Sequence, residues 1–131
     1  MINSKNTLEL LSEGKIIYSS DKSGLRPLIE MISIIKEKYS SYDNLELNDK
    51  VTGLAAAKLI IHLGKIIKIH TNIASSSAME LLLKHNIQVY AAIIVKQILN
   101  KDKTAQCPME LKSEKLNPEE FYTELKKIMN N

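Results

Sequence analysis

Apolar residues recur along this chain with two periods, and the switches between them mark out the elements. In "NTLELLSEGKIIYSSD", Leu8, Leu10, Ile16 and Tyr18 fall two apart on either side of Glu13-Gly14, which predicts a β-hairpin. In "SGLRPLIEMISIIKEKYS", Leu25, Leu28, Ile29, Ile32 and Ile35 follow helical spacing, and Pro27 suits a first turn. "SYDNLEL" reads as a polar link. "NDKVTGLAAAKLIIHLG" reads as a second helix, with Asn48 or Asp49 as its cap and Gly64 as its stop. Gly53 and Ala55 to Ala57 make that helix small and apolar on nearly every side, the mark of a central helix.

"KIIKIHTNIA" is short and β-branched, hence a buried strand. "SSSAMELLLKHN" follows as a helix and "IQVYAA" as a strand, while "IIVKQILN" fits either a short helix or a strand continuation. A polar loop from Lys101 to Asn117 leads to "NPEEFYTELKKIM", a helix with Asn117 as cap, Pro118 in the first turn and Glu120 completing a capping box. The order predicts an α/β fold, a three-layer α/β/α sandwich whose mixed sheet starts with a β-hairpin. The βαβ unit over 65–92 is expected to be parallel and right-handed. One domain over 1–131 is expected, its core at about 6–112 and a C-terminal helix at about 118–129.

Charge and composition remove some functions. A net charge of +3 comes from scattered lysines, and Arg26 is the only arginine, so nucleic-acid binding is not favoured. No apolar run approaches the roughly 20 residues of a membrane span. The start lacks a secretory pattern, and a single cysteine excludes an internal disulfide. The chain is therefore expected to be cytoplasmic, with neither membrane nor cofactor.

"DKVTGLAAAKL" (49–59) and "CPME" (107–110) resemble an uncharacterised prokaryotic family, a domain of unknown function whose structural relatives are the cytidine deaminases. "SGLRPLIE", "SSSAMELL" and "ILNK" lie in matching order, so the resemblance covers roughly residues 6–112. It implies a cytidine-deaminase-like fold and supplies no reaction. Zinc deaminases need His/Cys ligands and a glutamate proton shuttle in H-x-E and P-C-x-x-C motifs. "NDKVTGLAA" and "ASSSAMEL" contain neither motif, and His62, His70 and His85 sit mid-helix, mid-strand and at a helix end. Neither a metal site nor zinc deamination is expected.

Ligands on such folds collect where strands run into helix starts. Asn48, Asp49 and Lys50 mark one such place; Ser75, Ser76 and Ser77 mark another. Each has an ordinary reading: Asp49 as a cap, Ser77 with Glu80 as a capping box, Ser75 and Ser76 as a turn. Lys50, unfavourable in a helix's first turn, would pair with Asp49 or face an anion. Cys107 fits a buried structural thiol or a nucleophile lowered in pKa by Lys101, Lys103 or Lys112; Glu110 fits a proton carrier beside it.

Three functions remain open. The first is a module binding a nucleotide-like or other anionic small molecule through Asp49, Lys50 and Ser75 to Ser77. The second is a metal-independent enzyme using Cys107 with Asp49 or Glu110. The third is a structural, homo-oligomeric role in which Met31 and Ile34 expose an apolar patch on the first helix.

Overall fold

A computed structural model describes residues 5–99 and 107–129. Its elements are β1 (Leu8–Ser12), β2 (Lys15–Ser20), α1 (Arg26–Lys38), β3 (Leu45–Thr52), α2 (Leu54–Leu63), β4 (Ile66–Ser75), α3 (Ser76–Lys84), β5 (Gln88–Val95), α4 (Pro108–Glu114) and α5 (Pro118–Met129). The sheet order is β2-β1-β3-β4-β5. β1 is antiparallel to β2 and β3; β3, β4 and β5 are parallel. The α/β class, the mixed sheet and the opening hairpin are those expected from the pattern.

Glu13 and Gly14 both adopt positive φ, as a two-residue hairpin turn requires. Between Leu10 and Leu11 the register slips, so the hairpin departs from strict period two and leaves Ile16 exposed. The capping box of α5 forms in full. Asn117 N–H donates to Glu120 Oε1 at 3.0 Å, and Glu120 N–H donates to Asn117 Oδ1 at 2.8 Å.

Three expectations are corrected. Leu45 to Thr52 is a strand, not a polar link followed by a helix start. Leu45, Leu47 and Asp49 are buried at alternate positions, and β1 and β4 pair on either side. The segment after Cys107 contains a short helix, α4, where a loop to Asn117 was read. Met31 is fully buried in the core, so it exposes no patch on α1. The segment "IIV" resolves as the end of β5.

β2 and β3 run in the same direction, since β1 is antiparallel to both. Right-handed connections from β2 to β3, β3 to β4 and β4 to β5 therefore place α1, α2 and α3 on one face of the sheet. α2 sits between α1 and α3, with α4 and α5 packed against it. Three layers follow: sheet, α1 to α3, then α4 and α5. α2 tolerates contact all round because its side chains are small or apolar; Ala55, Ala56, Ala57, Leu59 and Ile60 are all buried. Its polar residues serve the outer layer. Lys58 Nζ donates to the carbonyls of Ser113 and Leu116, and the His62 ring stacks on Tyr122 with centroids 4.2 Å apart.

The opposite sheet face carries a cross-strand row, Glu9, Asn48, His70 and Tyr90, whose positions pair in register. Asn48 donates to Glu9 at 3.2 Å, and the His70 and Tyr90 rings stack at 5.0 Å. No described helix is long and apolar enough to cross a membrane.

Candidate functional site

Two helix starts, α1 and α2, meet the end of β3 and the start of β1 around a cavity of about 270 Å³. Its walls are Thr7 and Leu8, Ser23 to Leu25 with Pro27 and Leu28, Asp49 to Val51, Gly53 with Ala55 and Ala56, and Ile98, Cys107, Met109 and Glu110. The place is the one the fold favours, outside the carboxyl ends of parallel strands. Its volume is just below the roughly 300–1,000 Å³ usual for small-molecule sites.

Asp49 reaches this cavity because β3 alternates. The positions that bury Leu45 and Leu47 turn Asp49 to the same side. Asp49 is 8% exposed, and burial of its carboxyl pushes its pKa up to about 7. The backbone at Val51, the Thr52 hydroxyl and the backbone at Lys50 oppose that shift without cancelling it. Thr52 lies at the contact limit, 3.5 Å from Asp49 Oδ2, and also donates to the buried Thr71 hydroxyl at 3.0 Å. Lys50, next along the strand, points to the other side, so it does not pair with Asp49. It is half-buried at the cavity, with no ion pair among the described residues.

Glu110 closes the far wall. Its Oε2 accepts from Leu54 N–H at 2.8 Å and its Oε1 from Ala55 N–H at 3.0 Å. A carboxylate from α4 thus occupies the free amides of the α2 N-terminus, where the helix dipole favours negative charge. Burial raises its pKa, and those two amides pull it back down. Gly53, the α2 N-cap, leaves room for it: a Cβ there would stand 2.3 Å from Glu110 Oε1 and 2.8 Å from Ile98 Cγ1. The residue read as a proton carrier is therefore also the cap of the central helix.

Cys107, half-buried, forms the N-cap position of α4 and lines the same cavity. Lys101 and Lys103, read as its basic neighbours, lie outside the described residues. Lys112 pairs with Glu124 at 3.8 Å and lies outside the cavity. Asp49, Lys50, Cys107 and Glu110 are thus brought together.

The three serines are not. Ser75 is buried and caps α3 by accepting from Ala78 N–H at 3.2 Å; Ser76 and Ser77 are exposed. The box expected at Ser77 and Glu80 is displaced by two residues, because β4 runs on to Ser75 before the helix begins. Replacing Ser75 with alanine is expected to cost about 1 kcal/mol of stability in urea unfolding, with Ser77→Ala near zero. Equal losses would contradict this cap.

Sequence reasoning missed Gly53, Ile98 and the Thr52–Thr71 pair as parts of the site. Only Gly53 carried a signal, since glycine is an acceptable N-cap ahead of an alanine run. The histidines stand apart: His62 against Tyr122, His70 against Tyr90, and His85 at the end of α3 beside the Leu81 carbonyl. Among the described residues, no group of three or more His, Cys, Asp or Glu side chains could hold a metal ion.

Comparison with known proteins adds a family. The family model described as a domain of unknown function, DUF1893, matches residues 1–129. This chain belongs to the DUF1893 family. The crystal structure of a DUF1893 family protein from Thermotoga maritima superposes with a TM-score of 0.76 at 26% identity, covering 94% of this chain and 80% of that one. No curated protein matches the sequence.

Proposed function

We propose that this DUF1893 chain is a small-ligand binding module whose site is the cavity between the starts of α1 and α2. The observation that carries the reading is Asp49, a buried carboxyl at a largely apolar cavity between two helix starts. Sites of this kind hold a ligand by apolar walls and a few placed polar groups. The geometry also favours one ligand chemistry. Glu110 fills the amide groups of α2 that would otherwise receive a phosphate, and two carboxyls, those of Asp49 and Glu110, line the cavity. A compact ring carrying N–H or O–H donors suits that lining better than a multiply charged anion. Within the nucleotide-like class, this corresponds to the base and not the phosphate. The resemblance to cytidine deaminases makes nucleobases the first compounds to try.

Thermal shift with free nucleobases, nucleosides, nucleotides and inorganic phosphate tests the reading. A base or nucleoside at 100 times its dissociation constant should stabilise the protein by about 2.7 kcal/mol, and Asp49→Asn should remove that shift. Stabilisation by phosphate alone, or an undiminished shift in D49N, would overturn it.

A metal-independent enzyme using Cys107 is the second reading. It is supported by Cys107, Asp49 and Glu110 lining one cavity, where an acid titrating near neutral pH suits proton transfer. Rapid alkylation of Cys107 at pH 6 would favour it, and the slow rate of an ordinary thiol would count against it.

A further inference from the structure

β5 ends the sheet, and its outer edge has no strand partner among the described residues. The two edges of this sheet are built differently. β2 opens with Lys15, closes on Ser19 and Ser20, and faces a slip in register, all features that discourage further pairing. β5 has none of these. Its eight residues, "QVYAAIIV", carry no charge and no proline, and the strand pairs with β4 in a continuous parallel register.

The apolar side chains of this edge are uncovered on both sheet faces: Tyr90 is 48%, Ile93 56% and Ile94 58% exposed. Leu83 on α3, the helix that packs on β5, is 54% exposed. Water can satisfy an edge's amides and carbonyls, but a bare apolar edge calls for another strand.

We propose that β5 is a self-association edge, pairing antiparallel with β5 of a second copy of this chain to give a continuous ten-stranded sheet. The strand is self-complementary about Ala92, with large side chains at matching positions on either side, Tyr90 with Ile94 and Val89 with Val95. A two-fold axis perpendicular to the sheet, passing between the Ala92 residues of the two copies, sets Tyr90 opposite Ile94 on one face and Val89 opposite Val95 on the other. Such aromatic and β-branched pairs are favourable cross-strand neighbours. The charges are compatible with the same arrangement. Lys96, the first charge beyond the strand, falls opposite Gln88, so the two Lys96 side chains stand eight strand positions, or roughly 27 Å, apart. The two-fold contact closes on itself and leaves the protected β2 edges outermost.

Sedimentation equilibrium over a micromolar concentration series is expected to give twice the chain mass of 14.8 kDa. Ile93→Lys should raise the dimer dissociation constant on the order of 100-fold or more while leaving far-UV circular dichroism unchanged. A second readout covers the case in which I93K fails to fold. Ala92→Cys in a Cys107→Ser background should cross-link between chains with a short bis-maleimide, whereas Ile16→Cys in that background, on the opposite edge, should not. A wild-type monomer throughout the series would overturn the proposal. So would a dimer that cross-links through position 16 instead of 92.

Discussion

Replacing Glu110 with alanine is expected to destabilise the protein by about 3 kcal/mol, a drop in melting temperature of roughly 10 °C. The loss does not come from an ion pair. It comes from stranding the Leu54 and Ala55 amides at the start of a buried helix, where the carboxylate of Glu110, a residue only 5% exposed, now accepts from both. Glu110→Gln keeps one accepting oxygen and should fall between wild type and alanine. Gly53→Ala should cost a similar amount by another route, since its Cβ would drive the carboxylate from its place. The two changes must then be strongly non-additive: once Glu110 is gone, the two atoms nearest to the added methyl are gone with it. A coupling of about 1–2 kcal/mol in the double-mutant cycle is the expected result. Simple additivity would show that Gly53 and Glu110 act separately.

The second large effect is a dependence of stability on pH. Asp49 titrates near 7 in the folded chain and near its ordinary value, 3.8, when unfolded. Between those values the folded state holds a proton that the unfolded state has released. Stability therefore falls as pH rises from about 4 to about 7, and is flat for this group above that. Three units correspond to a loss on the order of 4 kcal/mol. Asp49→Asn, which cannot ionise, should remove that slope and be relatively more stable at pH 8 than at pH 5 when compared with wild type. Glu110, also raised by burial, contributes in the same direction, so the D49N difference isolates Asp49. Denaturant midpoints at four or five pH values settle the matter; parallel profiles for the two proteins would refute it.

Elements whose signals are local were the legible ones. The β1–β2 turn needs only Glu13-Gly14 with apolar alternation around it, and the α5 cap needs only Asn117 and Glu120. β3 was hidden because Asn48 and Asp49, at its middle, are among the best helix caps and precede an alanine run. What makes them strand is pairing with β1 and β4, a contact the local pattern does not contain. The same competition moved the α3 cap from Ser77 to Ser75, since pairing with Val95 holds Ser75 in the sheet. Asp49, Lys50, Cys107 and Glu110 were legible as candidates by residue type. Their meeting at one cavity was not, because it depends on α4, which is only seven residues long, folding back onto α2.

That return has a consequence for the order in which the molecule is made. The amide of Leu54 finds its acceptor 56 positions later in the chain, after every strand of the sheet has been synthesised. As the polypeptide leaves the ribosome, the hairpin and the parallel strands can form while the helix at their centre still has a bare first turn. Its completion waits for the arrival of "CPME". A chain stopped before residue 107 would thus hold every strand of the sheet and still lack the group that seals the start of its central helix.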